Sequence, residues 1–145
     1  MAEPKLETIL DPPDEVTRAI RDGLGAYNAR ILGDQDWCRV AIVVRSDEGQ
    51  VLGGLLGSVS WDWLHVSHLW LDESVRGRDI GSELLRRAEA LAVARGVTHA
   101  YLETTSFQAL EFYLKNGYKV FGRLEGRPRG HTYYYLKKEE LTATE

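Results

Sequence analysis

The sequence predicts a mixed α/β domain in which one β-sheet carries helices on its faces. Helix-like and strand-like segments follow one another in the order helix, three strands, helix, strand, helix, two strands. The chain has 145 residues, of which 43% are hydrophobic, and this length can bury one core. We therefore expect a single domain over residues 1–145.

The first element is a helix that begins near Asp14, which can cap it, after an irregular lead-in over residues 1–13. Apolar residues recur in this segment at helical spacing. Gly23 and Gly25 weaken its middle, so a break into two short helices is one expected outcome.

Three strands are predicted next, over residues 37–46, 50–61 and 63–72. Turn residues separate them at 47–49 and at Asp62. The short spacing of these strands predicts consecutive antiparallel hairpins.

The second half begins with a change of period from 2 to 3.6, which predicts a helix over residues 80–96. A strand is predicted over 97–105, and a short helix over 106–117 that Ser106 is expected to cap. The chain ends in two strands joined by a basic loop, at residues 118–124, 132–138 and 125–131 respectively.

Bulk properties exclude several classes of protein. The net charge of −4 argues against nucleic acid as the main partner, and no apolar run approaches the ~20 residues that span a bilayer. Cys38 is the single cysteine, so we expect neither an intrachain disulfide nor a cysteine-rich zinc site, and no metal is assigned. The N-terminus does not resemble a secretory signal, which predicts a cytoplasmic protein.

The turn before the long helix has the composition of an anion-binding site. Gly77 and Gly81 allow a ligand to approach the backbone, Arg76 and Arg78 add positive charge, and Ser82 adds a hydroxyl. Neither a P-loop nor a dinucleotide fingerprint is present. The pattern favours a diphosphate, although a structural turn with solvated arginines explains it equally well.

This segment, Arg76 to Gly81, resembles the acyl-CoA-binding motif [QR]-x-x-G-x-[GA] of the GNAT family of N-acetyltransferases. Asp79 stands where the first glycine of the motif is usual. Its carboxylate could point outward, since backbone N–H groups make the contact.

A second match lies at the short helix. The family often has Asn, then Ala, then Tyr, then Gly followed by an aromatic residue, and here Ser106, Ala109, Tyr113 and Gly117-Tyr118 fill that pattern. Ser106 replaces the usual Asn, which changes the hydrogen bond expected to the pantetheine arm.

The resemblance covers residues 14–138 and implies a single mixed, mostly antiparallel sheet with helices on both faces. Residues 63–72 and 97–105 would form a splayed parallel strand pair, with acetyl-CoA as co-substrate in the gap between them. The residues then expected to bind it are Leu69, Trp70, Leu71, Arg76, Gly77, Arg78, Asp79, Ile80, Gly81, Ser82, Ser106 and Tyr113.

The implied reaction is direct attack of an amine on the thioester. Tyr113 would donate a proton to the leaving thiolate, unless it is only a core aromatic residue. For the base, His65, Glu103 and a water chain remain alternatives. Strand alternation predicts that His65 shares a face with Leu69 and Leu71.

The implied acceptor is a small-molecule or peptide amine. Arg127, Arg129 and His131 in the basic loop would suit an acceptor with a carboxylate or phosphate, or they are simply solvated. The tyrosines over 133–135 would pack the sheet or suit the edge of a homodimer.

Two other classes of function remain as alternatives. A non-catalytic acyl-CoA-binding sensor is favoured by the departures at Asp79 and Ser106. A nucleic-acid-binding protein is favoured by the basic residues near the C-terminus and disfavoured by the net charge.

Overall fold

The computed structural model describes residues 2–142. Residues 2–13 form neither helix nor strand, and α1 follows over Asp14–Leu32 as one continuous helix. The expected break at Gly23 and Gly25 is therefore wrong: glycine lowers helix propensity but keeps its N–H, so the hydrogen-bond ladder continues. Pro13 takes the N-cap position without a side-chain hydrogen bond, and Asp14 instead lies in the first turn.

The chain divides into two compact units, the first ending at Gln35 and the second beginning at Asp36. The second unit holds the whole sheet, whose strand order is β1-β2-β3-β4-β6-β5. Its elements are β1 (Cys38–Arg45), β2 (Val51–Ser60), β3 (Trp63–Leu71), α2 (Ile80–Ala94), β4 (Ala100–Thr105), α3 (Leu110–Lys115), β5 (Lys119–Glu125) and β6 (Thr132–Lys138).

Neighbouring strands are antiparallel except for β3 and β4, which run parallel. The predicted mixed sheet with one parallel pair is thus confirmed. That pair extends over three positions only, from Leu64 opposite Ala100 to Val66 opposite Leu102. Beyond Val66, β3 continues to pair with β2 while β4 pairs with β6, so a gap opens between the two parallel strands.

A β-bulge interrupts the alternation of side chains along β3. Leu56 of β2 lies opposite His68, but the next residue, Gly57, lies opposite Val66, so Ser67 has no partner. Ser67 Oγ donates to the Leu56 carbonyl over 3.1 Å. The bulge shifts every later residue of β3 to the other face.

The predicted face for His65 is wrong for this reason. His65 lies opposite Ser58 and shares its face with His68 and Trp70, whereas Leu69 lies opposite the buried Leu55 on the core face. Local sequence periodicity predicts a regular strand and cannot reveal one inserted residue.

Two further expectations fail for topological reasons. Helix α3 begins at Leu110 rather than at residue 106, and its N-cap is Ala109, so Ser106 does not cap it. Strand β6 lies inside the sheet between β4 and β5, so the tyrosine-rich strand is not the edge through which a homodimer was expected.

The core joins α2 to the sheet and to Tyr113 of α3 in one cluster. An ionic network is buried at its side. Glu89 of α2 is 6% exposed; one carboxylate oxygen accepts from the Tyr118 hydroxyl over 2.8 Å, and the other accepts from Lys138 Nζ over 2.9 Å. These three side chains connect α2, the segment after α3, and β6.

We expect Lys138→Met to destabilise the fold by about 2 kcal/mol, because it leaves the buried Glu89 carboxylate without its cation. Lys137→Met is the matched control: its ammonium pairs with Glu139 at the surface, 2.9 Å away, so its loss should cost less than about 0.5 kcal/mol. Urea unfolding of both variants measures the difference. Equal losses would show that the buried pair contributes no more than the surface pair.

Candidate active site

A cleft of about 630 Å³ lies where β3 runs into α2, and α3 forms its far wall. Nine of the residues predicted to bind the co-substrate line it: Leu69, Trp70, Leu71, Arg76, Gly77, Asp79, Ile80, Gly81 and Ser82. Two segments that are adjacent in sequence, the end of β3 and the turn before α2, therefore meet as one wall.

The turn offers a row of hydrogen-bond donors. Within the part of the chain that the structure describes, the backbone N–H groups from Gly77 to Ser82 donate to no protein acceptor, and the first donor of the helical ladder is Glu83, to Asp79. Gly77 has a φ of +76° and no atom within 4 Å of where a Cβ would stand. Free donors, a helix N-terminus and open space in front of a glycine together suit a diphosphate.

Asp79 adopts the backbone conformation that explains why glycine is usual at its position in the family motif. Its φ of 61° and ψ of 18° lie in the left-handed region, which aspartate tolerates better than most residues. Its side chain is 72% exposed and lies 3.4 Å from Arg86 Nη2. The carboxylate thus pairs with a cation about two turns into α2, as an outward-pointing side chain would.

The exposed edge of β3 continues the row of polar groups. Asp72 N–H donates to Leu52 of β2, so by alternation the backbone groups of Leu69 and Leu71 point the other way, into the gap. Arg76 Nε donates to the Leu71 carbonyl over 3.0 Å and holds the turn against the strand. Gly81 is closely packed against the opposite wall, since a Cβ there would lie 3.1 Å from the ring of Phe112.

The gap between β3 and β4 forms a second cavity of about 370 Å³, which adjoins the cleft. Glu103 and Tyr113 both line it, as do Leu69 and Trp70. The Tyr113 side chain is buried, and burial, followed by the charge of Glu103, raises its pKa to about 12. Tyr113 therefore keeps its proton at neutral pH, so in a proton transfer it can act there as an acid but not as a base.

The two residues predicted as alternative bases are in contact. His65 Nε2 lies 3.0 Å from each carboxylate oxygen of Glu103, and its ring stacks on Tyr101 with centroids 4.5 Å apart. Their side chains are 30% and 20% exposed. Glu103 lines the gap and His65 does not, so the carboxylate is the member of the pair that reaches the cavity.

Two of the predicted ligands do not line either cavity. Arg78 is exposed outside the cleft. Ser106 is bound to the start of β6: its N–H donates to the Thr132 carbonyl over 2.8 Å, and its Oγ accepts from Thr132 N–H over 3.1 Å. Ser106 thus ties the segment before α3 to the first residue of β6.

The far wall of the cleft was missed by the sequence analysis. Ala109, Phe112 and Asn116 lie on one side of α3 and its flanking residues, at the spacing of three and four that marks a helix face. That spacing was the available signal. The other residues of this wall are Phe107, Gln108 and Lys115.

Comparison with known proteins agrees with this geometry. Residues 10–118 match the model of the Acetyltransferase (GNAT) family. The chain is 37% identical over 124 residues to the acetyltransferase Atu2258 of Agrobacterium fabrum, over 86% of this chain and 90% of that protein. It is 35% identical over 137 residues to the Blasticidin-S acetyltransferase of Streptomyces morookaense, over 94% and 96% respectively.

The fold is also similar to that of a solved structure. The crystal structure of an acetyltransferase from Bacillus cereus matches with a TM-score of 0.82 at 36% identity, over 92% of this chain and 97% of that chain. The chain therefore belongs to the GNAT family, and it is an acetyltransferase. The departures that had favoured a non-catalytic domain, at Asp79 and Ser106, each have a structural explanation.

Two kinds of feature are absent from residues 2–142. Within that range no three potential ligand side chains come together in a way that could hold a metal ion. Nor does any helix in it combine the length and hydropathy needed to cross a membrane. The cytoplasmic location and the homodimer stay predictions.

The raised pKa of Tyr113 predicts how the stability of the fold depends on alkaline pH. Because the folded chain holds this proton to a pH of about 12 and the unfolded chain releases it near 10, the unfolded state loses its proton first. The free energy of unfolding should therefore be constant below pH 10 with respect to this group and fall above it, by about 1.4 kcal/mol per pH unit. Urea unfolding between pH 9 and about 11.5 should show a shallower fall for Tyr113→Phe. An identical fall in both proteins would contradict the expectation.

Proposed function

We propose that this protein is an acetyl-CoA-dependent N-acetyltransferase in which a primary amine attacks the thioester directly. The observation that carries the proposal is the continuity of the cleft and the gap: free backbone donors at Gly77–Ser82 lead along the edge of β3 to a cavity with Glu103 and Tyr113 on its walls. The N–H groups of the turn suit a diphosphate, and the backbone groups of the β3 edge suit amides. Glu103 and Tyr113 then provide a proton acceptor and a proton donor.

The residues suit each part of acetyl-CoA. The N–H groups of the turn and Arg76 would hold the diphosphate, and the backbone groups of Leu69 and Leu71 would pair with the pantetheine amides. Bound in this way, the co-substrate supplies an activated acetyl group to the gap. Where the β3 edge lines the gap, the N–H group of Leu69 would also stabilise negative charge on the carbonyl oxygen.

Proton transfer is assigned to opposite sides of the gap. Glu103 accepts the proton that the amine loses, either directly or through one water. His65 is a positioning residue, since its Nε2–H donates to that carboxylate and it does not line the cavity. As the new C–N bond forms and the C–S bond breaks, Tyr113 donates its proton to the thiolate, and the products are the acetylated amine and CoA.

The acceptor is proposed to be a small molecule. The relative named Blasticidin-S acetyltransferase, which aligns over nearly the whole of both chains, supports this choice over a peptide. The accessible approach to Glu103 is the sheet face that also carries His65 and Tyr101, outside the core.

Calorimetry with CoA tests the diphosphate site. Wild-type protein should bind CoA, and Asp79→Asn should bind it about three- to tenfold more tightly, because asparagine keeps the left-handed backbone and removes a negative charge near the phosphates. Asp62→Asn is the matched control, since Asp62 also has a positive φ, of 66°, but lies in the β2–β3 turn. Its affinity should equal that of wild type.

No heat of CoA binding by folded wild-type protein would overturn the proposed function. Unchanged or weaker binding by Asp79→Asn would contradict the electrostatic account of this position alone.

Thiol release with acetyl-CoA and a panel of primary amines tests the chemistry. Tyr113→Phe and Glu103→Gln should each lower kcat about 10²-fold or more while leaving the Kd for CoA unchanged. Raising the pH should restore Glu103→Gln, because a free amine needs no base, but should not restore Tyr113→Phe. Glu111→Gln, on the exposed side of α3, is the control and should behave as wild type.

Full activity of Tyr113→Phe would remove that residue from the mechanism. A Glu103→Gln variant as active as wild type at neutral pH would assign the proton to water.

A further inference from the structure

A strip of aromatic side chains leads away from Glu103 on the sheet face opposite the core. Glu103 of β4 lies opposite Tyr135 of β6, and Thr105 lies opposite Tyr133, so Glu103, Tyr135 and Tyr133 share one face of the sheet. The rings of Tyr133 and Tyr135 are 5.3 Å apart. Starting from the proposed base, the strip runs along β6 towards the β5–β6 loop.

Arg127 lies at the far end of this strip. Its guanidinium carbon is 4.4 Å from the centre of the Tyr133 ring, a stacked position that restricts the side chain. Within residues 2–142 it forms no ion pair and donates no hydrogen bond to the protein. A guanidinium held on an aromatic face with its N–H donors unused is arranged to bind a planar anion.

The charges of Glu103 and Arg127 both affect the pKa of the Tyr133 hydroxyl. Burial is the main cause that raises its pKa, the Glu103 carboxylate raises it further, and Arg127 lowers it. Tyr133 therefore lies within electrostatic range of a negative group on one side and a positive group on the other. The strip is a dipolar surface rather than an acidic or a basic one.

The spacing along the strand sets the size of a molecule that could use both ends. Tyr135, beside Glu103, and Tyr133, beneath Arg127, are two positions apart on β6, which is a rise of roughly 7 Å along the strand. A compound that presents its amine at Glu103 and lies flat over the two tyrosines would bring a group at that distance to the guanidinium. A carboxylate there would form a bidentate pair, whereas a second ammonium would be repelled.

We propose that the acceptor is a zwitterion, an amine that carries a carboxylate roughly 7 Å away, and that Arg127 binds this carboxylate and determines specificity. The inference rests on the proposed acetyl transfer to an amine and names the class of that amine. Arg127 takes no part in the chemistry of the thioester.

Matched pairs of amines test the proposal by thiol release with acetyl-CoA. The pairs are para-(aminomethyl)benzoate with para-(aminomethyl)benzamide, and ε-aminocaproate with its amide; each pair has one reacting amine and differs only in the distal charge. In wild type, kcat/KM should be at least about tenfold higher for each acid than for its amide, and added salt should reduce this ratio. In Arg127→Met the acids should fall to the level of the amides, and the amides should not change.

Arg123→Met is the matched control. Arg123 lies over the ring of Tyr134 at 5.8 Å, and Tyr134 pairs with Thr104 on the core face, so this arginine is on the same hairpin but outside the strip. The preference for acids should persist in this variant.

The outcomes separate this inference from the proposed function. Acetylation of acids and amides at equal rates by wild type, or a preference that survives Arg127→Met, would overturn the assignment of Arg127 and leave the acetyl transfer intact. If none of the four amines were acetylated while another amine of the panel was, the zwitterion class alone would be overturned. If no amine of the panel were acetylated by a protein that binds CoA, the proposed amine chemistry would be overturned.

Discussion

The separation of β3 from β4 is the constraint on which the rest of the site depends. A strand inside a sheet normally satisfies its backbone groups on both sides. Here β3 pairs with β2 along almost its whole length but with β4 only from Leu64 to Val66. The remaining backbone groups of β3 face a gap, where a ligand with amides of its own can satisfy them. The turn before α2 prolongs this row of donors at the point where the strand ends.

The bulge at Ser67 gives the gap two chemically different sides. Without it, Leu69 would follow the alternation from His65 and point to the open face instead of the core. With it, His65 meets Glu103 on the open face, while Leu69 continues the apolar wall and Tyr113 approaches from the core. Glu103, held by His65, and a buried phenol thus flank one small cavity, and burial is the main cause that keeps the phenol protonated.

Two residues that depart from the family motif, Asp79 and Ser106, are each accommodated by local contacts. Asp79 takes a backbone conformation suited to glycine, and its charge is met by Arg86. Ser106 no longer faces the cleft; instead it ties the turn before α3 to Thr132, and Phe107 rests against His131 with ring centres 4.8 Å apart. One wall of the cleft is therefore fastened to the loop that carries Arg127.

Local sequence determined the order of strands and helices, and it also determined the turn before α2 with its free N–H groups. Strand and helix periods depend on neighbours two to four residues apart, so the order of elements could be predicted, as could the meeting of Leu69–Leu71 with the turn that follows them. The parallel pair was predicted through the resemblance of Arg76–Gly81 and residues 106–118 to a family, because nothing in the periodicity specifies which strands are adjacent.

Tertiary structure decided what depends on register between distant strands. The contact of His65 with Glu103 joins residues 38 positions apart, and it exists because the parallel pairing of β3 with β4 puts both on one face. The interior position of β6, the late start of α3 and the stacking of Arg127 on Tyr133 arise in the same way. The sequence by itself determined the order and the approximate extent of the strands and helices, and only the packed sheet decided which residues face one another, since the pairing of strands is a property of the whole chain.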